Sequence, residues 1–189
     1  MQQRFHLIGI SGSLRRGSAN TAVLHTIREA LTTAEMEIFE LNGVPLYNED
    51  EDGEAACASV RMLRRKIAAA DAVVLASPEY NYGMSGVLKN ALDWISRPFG
   101  QSALKGKPVL NLTVSPAFTG GVRAHQQLNE TLAAIGAHTI IRPQIVIGGV
   151  YDKLHENRLT DAPTLEFALA GIEDLLREAK VRQLLAEAA

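Results

Sequence analysis

The sequence predicts an α/β/α sandwich in which a five-stranded parallel sheet, in the strand order 2-1-3-4-5, is covered by helices on both faces. Two observations support this class. Short apolar runs alternate along the whole chain with stretches whose apolar residues recur every three or four positions. The 189 residues, 47% of them hydrophobic, suit one domain spanning residues 1–189 with an ample core.

The amino-terminal part contains the first three predicted strands. Phe5–Ile10 is an apolar run, and the helical pattern of Ala19–Thr33 follows it. Met36–Leu41 alternates apolar and charged residues as an edge strand does. A second helix is predicted at Glu54–Ala70, and Ala72–Ser77 is almost wholly apolar, as expected for a central strand.

The middle of the chain repeats the pattern. An apolar stripe between Val87 and Ile95 predicts the third helix, and the apolar run Pro108–Val114 predicts the fourth strand. Val122–Ile135 has helical periodicity and follows a turn with two glycines. Each of these helices therefore begins just after a strand and a loop that contains glycine.

The last strand is predicted at His138–Ile147, although Arg142-Pro143 interrupts it. The polar segment Tyr151–Leu159 is predicted to be a loop. Asp161 precedes a long stretch of helical periodicity, and a proline two residues later is typical of a helix start. Five strands and five helices are the count of a flavodoxin-like fold.

Composition narrows the possible partners. Nineteen basic and 21 acidic residues give a net charge of −2, so nothing indicates binding to nucleic acid or to an anionic membrane. The start of the chain lacks a signal-peptide pattern and no apolar run is long enough to span a bilayer, so we expect a cytoplasmic protein. The single cysteine, Cys57, excludes an internal disulfide and is predicted to be a buried residue of the second helix.

The stretch Gly9–Asn20 joins the first strand to the first helix and has the features of an anion site. Glycines let backbone amides turn inward, the helix start adds partial positive charge, and an arginine fork matches phosphate oxygens. A Walker loop is unlikely because Ser18 stands where its lysine is required, and the dinucleotide pattern GxGxxG is absent. A helix cap beside two solvated arginines is the alternative. The hydroxyls and cations are those of Ser11, Ser13, Ser18, Thr21, Arg15 and Arg16.

Two further loops are predicted to meet this one. In a sheet of order 2-1-3-4-5, the loops after strands one, three and four converge at the carboxyl edge, where ligands bind. Pro78–Gly86 offers two tyrosines and exposed backbone, and Ser115–Gly121 offers hydroxyl groups and glycine amides. A phosphorylated, flat heteroaromatic ligand such as FMN matches these groups. Taken alone, Tyr80 and Tyr82 favour ordinary packing under a loop, and it is their position beside Asn81 and Gly83, directly after a central strand, that indicates a ligand site.

Two long motifs resemble the signatures of the NADPH-dependent FMN reductase family, in particular its bacterial quinone and chromate reductase branch. The likeness covers nearly the whole chain. The motifs are Gly12-Ser13-Leu14-Arg15-Arg16-Gly17-Ser18-Ala19-Asn20 and Pro78-Glu79-Tyr80-Asn81-Tyr82-Gly83, the second continued by Gly86-Val87-Leu88-Lys89-Asn90-Ala91-Leu92-Asp93-Trp94.

The resemblance implies noncovalently bound FMN and two-electron reduction of quinones, flavins, azo compounds or metal oxyanions such as chromate, with NAD(P)H as electron donor. It also implies three groups of cofactor-binding residues. The phosphate would be held by Ser13, Arg15, Ser18, Ala19 and Asn20, within a loop that also contains Leu14, Arg16 and Gly17. The flavin ring would be lined by Pro78, Glu79, Tyr80, Asn81, Tyr82, Gly83 and Met84, and its other edge closed by Ser115, Gly120 and Gly121.

Such a flavoenzyme requires no catalytic side chain, because N5 of the flavin accepts the hydride. We expect a ping-pong cycle in which the nicotinamide and the acceptor stack in turn on one flavin face, with Tyr82 as a wall of that slot. Gly83-Met84, Pro116 and Phe118 depart from the family pattern and are expected to affect acceptor choice.

Other classes fit less well. A low-molecular-weight phosphatase needs an arginine six residues after its cysteine, and Leu63 stands there. The histidines show no metal-ligand spacing, although His125 follows the third loop. A flavodoxin-type electron carrier without its own NAD(P)H reaction remains the alternative, as does a flavin-binding sensor or scaffold; carriers of that type tend to be strongly acidic.

Assembly is predicted from exposed apolar residues. Trp94, Pro98 and Phe99 are expected to lie beside a ligand loop and to form a subunit interface. The family resemblance implies a homodimer or homotetramer whose partners, apart from other copies, are small-molecule electron acceptors.

Overall fold

The computed structural model describes residues 4–188, and a parallel sheet forms its centre. Two neighbouring strands at the centre of the sheet, Ala72–Ser77 and Pro108–Val114, are buried at every position. The sheet strands are β1 (Phe5–Ser11), β2 (Ala34–Phe39), β3 (Ala72–Ser77), β6 (Pro108–Val114), β7 (His138–Thr139) and β8 (Ile145–Ile147). Two small hairpins lie outside it, β4 (Glu79–Tyr80) with β5 (Gly83–Met84) and β9 (Leu154–His155) with β10 (Arg158–Leu159).

Helices cover both faces of the sheet. They are α1 (Ala19–Ala30), α2 (Ala58–Ala69), α3 (Gly86–Ile95), α4 (Val122–Ile135), the single turn α5 (Val150–Lys153) and α6 (Ala162–Glu187). One core cluster packs α1 and α6 against the sheet, and a second packs α2, α3 and α4 against its other face. The predicted three-layer arrangement is therefore confirmed.

The strand order is β2-β1-β3-β6-β7, and β8 also pairs with β6. Every pairing in this sheet is parallel. This is the predicted order 2-1-3-4-5, with the fifth strand in two pieces. Because β1, β3 and β6 are neighbours and point the same way, the segments that follow them meet at one edge.

The fifth strand differs from the prediction of a strand over 138–147. β7 pairs with Pro108 and Val109, β8 pairs with residues 112–114, and the segment 140–144 leaves the sheet between them. Proline cannot donate to a ladder, which explains the break at Arg142-Pro143. The Arg142 side chain holds the detour through an ion pair with Asp174 and a contact with the Phe167 ring, 4.7 Å from its centroid.

Residues 151–159 are not the loop that their polarity suggested. They form the end of α5 and the β9–β10 hairpin, whose turn places Glu156 and Asn157 at positive φ. Thr26 on α1 accepts a hydrogen bond from the Leu159 backbone amide, and Leu159 is buried. Leu154 packs against the same core cluster, so two leucines in a polar segment anchor the hairpin to the core.

Two predictions of side-chain exposure are wrong. Cys57 is exposed and precedes α2 as its cap, because the helix starts at Ala58 rather than at Glu54. Trp94 is buried, and its indole N–H donates to the Pro45 carbonyl. Phe99 is 87% exposed, but it follows the carboxyl end of α3, the end away from the ligand loop that precedes this helix.

Candidate functional site

A cavity of about 300 Å³ opens at the edge where β1, β3 and β6 end. It brings together the three loops that the sequence predicted to meet. The predicted residues that line it are Ser13, Arg15, Ser18, Ala19, Asn20, Pro78, Glu79, Tyr80 and Ser115.

The first loop presents an arginine and a helix start to this cavity. Ser18 caps α1, its hydroxyl accepting from the Thr21 amide at 3.3 Å. One Arg15 guanidinium N–H donates to the Gly17 carbonyl at 2.9 Å, which holds this exposed side chain across the loop. An arginine fork beside a helix N-terminus is a favourable environment for a phosphate.

Other residues of this loop have different roles. The Ser11 and Thr21 hydroxyls bond each other at 2.8 Å, so they connect the end of β1 to α1. Leu14, Arg16 and Gly17 are exposed and do not line the cavity. The two neighbouring arginines are therefore distinct, and Arg15 is the one that contributes to the cavity wall.

Ser85 ties the first loop to the second. Its hydroxyl donates to the Gly12 carbonyl at 2.6 Å and also accepts from the Leu88 amide as the cap of α3. Gly12 lies so close that a Cβ there would be 3.0 Å from the Ser85 hydroxyl and 3.2 Å from the Ala76 carbonyl. A side chain at this position would push the two loops apart.

Asn20 places an unpartnered acceptor in the cavity wall. Its amide nitrogen donates to the Val114 carbonyl at 3.4 Å, which fixes the orientation of the amide group. The side-chain oxygen is buried and has no hydrogen-bond partner. Because buried acceptors are normally satisfied, this oxygen fits a ligand that brings a hydroxyl or N–H donor.

The second loop is a hairpin with exposed aromatic rings. Tyr80 is 55% exposed and Tyr82 is 72% exposed, which excludes packing under a loop as their role. Asn81 and Tyr82 have φ values of 50° and 67°, a conformation that is rare for a bulky residue such as tyrosine. The Arg123 guanidinium covers the Tyr82 ring at 4.2 Å from its centroid. Asn81, Tyr82, Gly83 and Met84 are not part of the cavity wall.

Gln127 on α4 explains the departure at Gly83-Met84. Its side-chain oxygen accepts from the Met84 amide at 2.7 Å and would lie 2.8 Å from a Cβ at Gly83. A residue without a side chain therefore lets α4 reach the hairpin backbone.

The third loop turns through two glycines with positive φ, Gly120 and Gly121. Neither glycine lines the cavity, and a Cβ on Gly120 would lie 2.9 Å from the Gly148 amide nitrogen. The Ser115 hydroxyl accepts from the Ala117 amide at 3.1 Å, which shapes the loop that follows β6.

Four cavity residues, namely Val114, Pro116, Ala117 and Tyr151, were not among the predicted cofactor-binding residues, although Pro116 was expected to affect acceptor choice. Tyr151 belongs to α5, directly after Gly148-Gly149 at the end of β8. The signal was present, because the segment after the fifth strand also reaches the carboxyl edge of a parallel sheet.

His125 lies apart from the cavity. It is buried on α4, and burial lowers the pKa of its imidazole. Asn129 contacts its Nδ1 at 3.2 Å and accepts from the Asn111 amide at 2.8 Å. Within residues 4–188 no three histidine, cysteine or acidic side chains are grouped to hold a metal, and no helix is long and apolar enough to cross a membrane.

Residues 5–152 match the model of the NADPH-dependent FMN reductase family. The chain belongs to this family. It is therefore an oxidoreductase with FMN as cofactor and NAD(P)H as electron donor. This agrees with the resemblance carried by the two loop motifs.

Curated relatives cover nearly the whole chain. An NAD(P)H-dependent FMN reductase of Pseudomonas aeruginosa is 39% identical over 180 residues, which are 93% of this chain and 95% of the relative. A quinone reductase of Escherichia coli is 37% identical over 82% of this chain and 83% of its own length.

A solved structure agrees with the fold of this FMN reductase. The flavoenzyme NAD(P)H:(acceptor) oxidoreductase of Paracoccus denitrificans superposes with a TM-score of 0.81 at 30% identity. The match covers 93% of this chain and 97% of that one. The flavodoxin-like prediction is confirmed.

Proposed function

We propose that this chain reduces quinones with NAD(P)H through FMN bound in the cavity at the carboxyl edge of the sheet. One observation carries the proposal. A single cavity combines the anion loop around Arg15, the unpartnered Asn20 oxygen and the aromatic hairpin that begins at Glu79. FMN has a phosphate, a chain of hydroxyl donors and a flat ring, which match these three features in turn.

We assign the phosphate to the first loop. Ser13, Arg15, Ser18 and Ala19 are the lining residues beside the start of α1. The Asn20 oxygen is an acceptor and suits a ribityl hydroxyl better than a phosphate oxygen. The hydrogen bond between the Ser11 and Thr21 hydroxyls stabilises the loop, and we assign neither side chain a contact with the ligand.

We assign the flavin ring to the hairpin and the third loop. Pro78, Glu79 and Tyr80 line the cavity, and Ser115 lines it from β6. Residues 81–84 fix the shape of the hairpin, and Gly120 and Gly121 let the third loop approach. Tyr82 lies outside the cavity wall but is exposed and stacked on Arg123, and we propose it as a wall of the slot where nicotinamide and acceptor bind.

Bound FMN supplies the chemistry, accepting a hydride from NAD(P)H and passing two electrons on. The chain's own residues bind and orient. We propose that nicotinamide and acceptor use the same slot in turn, so that the kinetics are ping-pong. Quinones are the first acceptors to test because relatives are named quinone reductases and one is named a 2-hydroxy-1,4-benzoquinone reductase. Flavins, azo compounds and chromate are further candidates.

The test is the spectrum of the purified protein followed by NADPH and a quinone. We expect a flavin spectrum that NADPH bleaches and benzoquinone restores, and initial-rate plots that stay parallel when both substrates are varied. A flavin that NADPH leaves oxidised would instead indicate the electron carrier without its own NAD(P)H reaction. A colourless protein that does not take up FMN would refute the assignment.

We further propose that residues 1–189 act as one FMN-binding domain in a cytoplasmic homodimer or homotetramer. The apolar side chains exposed around the cavity mouth support assembly, and a flavin site that consumes NAD(P)H suits the cytoplasm. Small-molecule acceptors are the partners that the cavity favours.

A further inference from the structure

Glu79 is an acidic residue in the wall of the cavity to which we assign FMN, an anionic cofactor. It follows β3 by two residues, and its side chain is 11% exposed. Glu79 and Arg15 are the two charged side chains among the described residues that line this cavity. Arg15 belongs to the phosphate loop, whereas Glu79 belongs to the hairpin that we assign to the flavin ring. Glu79 therefore places a negative charge on the flavin side of the cavity.

The start of α4 holds this carboxylate. Glu79 Oε2 accepts from the Arg123 amide at 2.9 Å and from the Ala124 amide at 3.1 Å. Arg123 Nη1 lies 3.7 Å from the other oxygen, Oε1. The helix has 14 residues, and its own cap, Gly121, offers no side chain. Glu79 therefore caps α4 from another loop, as carboxylates do at helix N-termini.

The surrounding contacts prevent this carboxylate from swinging away. A Cβ on Gly121 would lie 3.4 Å from the Glu79 Cβ, so the third loop packs directly against the side chain. Arg123 also covers the Tyr82 ring, and Gln127 accepts from the Met84 amide. Glu79, the hairpin and the start of α4 thus form one fixed unit.

We propose that the Glu79 carboxylate lowers the reduction potential of the bound flavin and that Arg123 partly offsets this effect. The inference rests on the proposed function, because it requires the flavin ring to lie beside the hairpin. A reduced flavin carries more electron density than an oxidised one, so a nearby fixed negative charge disfavours reduction. A lower potential makes the reduced enzyme a stronger reductant toward quinones.

Two substitutions test separately how the Glu79 and Arg123 charges affect the flavin reduction potential. Glu79→Gln keeps an oxygen that accepts from the α4 amides but removes the negative charge, so the potential should become more positive. Arg123→Gln leaves the carboxylate with less compensation, so the potential should become more negative. We expect about a tenfold change in the reduction equilibrium for Glu79→Gln, which is about 30 mV for a two-electron couple.

The measurement is a spectroscopic redox titration of FMN-loaded protein against a reference dye. Glu130→Gln on the exposed face of α4 is the matched control and should keep the wild-type potential. The FMN dissociation constant of each variant shows separately whether the cofactor is still held. If Glu79→Gln fails to fold, the opposite shift in Arg123→Gln still tests the idea.

The outcomes separate the two proposals. Wild-type protein that binds FMN, together with Glu79→Gln at an unchanged or more negative potential, would overturn the role of Glu79 and leave the quinone reductase proposal intact. An unchanged potential in Arg123→Gln would remove the offsetting role of Arg123. Wild-type protein without FMN affinity would overturn the proposed function, and this inference with it.

Discussion

Arg15 and Arg16 are neighbours in the chain with different places in the structure. Arg15 lines the cavity and donates to the Gly17 carbonyl, whereas Arg16 is exposed and outside the cavity wall. The charge pattern of the loop gave both residues equal weight, because sequence order does not say which way a loop side chain points, and only the family resemblance assigned the phosphate to Arg15. The structure turns this pair into an internal control for phosphate binding.

We predict that Arg15→Met weakens FMN binding about 10- to 100-fold, because a charge-assisted hydrogen bond contributes about 1.5–3 kcal/mol. Arg16→Met should change the dissociation constant less than about threefold, since exposed charges contribute little. Riboflavin, which lacks the phosphate, should bind wild type and Arg15→Met equally. Quenching of flavin fluorescence measures the dissociation constants of FMN and of riboflavin for the wild type and both variants. Equal losses in both arginine variants would contradict a phosphate site built on Arg15.

A second prediction about a single residue concerns His125. Burial lowers the pKa of its imidazole, and the Asn129 amide nitrogen faces its Nδ1, which suits the neutral ring. The unfolded chain has an ordinary histidine pKa of about 6.5 and therefore takes up the proton first. Folding stability should consequently fall as the pH drops below about 6.5 and level off below the folded pKa.

The measurement is the melting temperature between pH 7.5 and 5. His125→Gln should lose less stability over this range than wild type, because it has no proton to take up. His155→Gln, at the exposed end of β9, is the control and should follow wild type. Parallel curves for wild type and His125→Gln would show that His125 does not contribute to acid sensitivity.

At the scale of elements, the sequence predicted the strands and helices around the site best. β3 and β6 are largely apolar and fully buried, and both were predicted with the bounds that the structure has. The fifth strand was predicted as one piece although Pro143 was recognised in it. How far the chain detours there depends on Arg142 reaching Asp174 and Phe167 on α6, and periodicity carries no information on such distant partners.

The third loop gives a prediction at the same scale. Gly120 has a φ of 64°, and a Cβ there would meet backbone atoms at 2.9–3.2 Å that cannot rotate away. Gly17 has nothing within 4 Å of its Cβ position. We expect Gly120→Ala to lower the free energy of unfolding by about 2 kcal/mol and Gly17→Ala to change it by less than about 0.5 kcal/mol. Urea unfolding of the flavin-free protein measures both, and equal effects would show that the third loop adapts.

At the scale of the whole molecule, the sequence predicted where the site lies because topology alone brings the three loops together. The sequence did not predict the hydrogen bonds that hold these loops against one another. The contact of Glu79 with the start of α4 joins residues 44 and 45 positions apart, and the Ser85–Gly12 bond spans 73 positions. Such contacts depend on the final packing, and for the same reason the burial of Trp94 and the exposure of Cys57 were missed.

Assembly is the remaining property of the whole molecule, and two exposed surfaces are candidates for the subunit interface. Phe118 is 98% exposed in the third loop and lies with Tyr80, Tyr82 and Leu14 on the loops around the cavity mouth, whereas Phe99 follows the far end of α3. Exposed apolar side chains that cluster beside a ligand site favour a subunit interface.

We therefore predict that light scattering at micromolar concentration gives a mass of two or four chains. Phe118→Ser should lower that mass and also raise the apparent KM for a quinone, because a partner at the mouth would help to enclose the slot. Phe99→Ser should leave both unchanged. A monomeric wild type would contradict assembly altogether. Dissociation by Phe99→Ser alone would place the interface at the opposite end of the molecule. An interface there would not contact the flavin site.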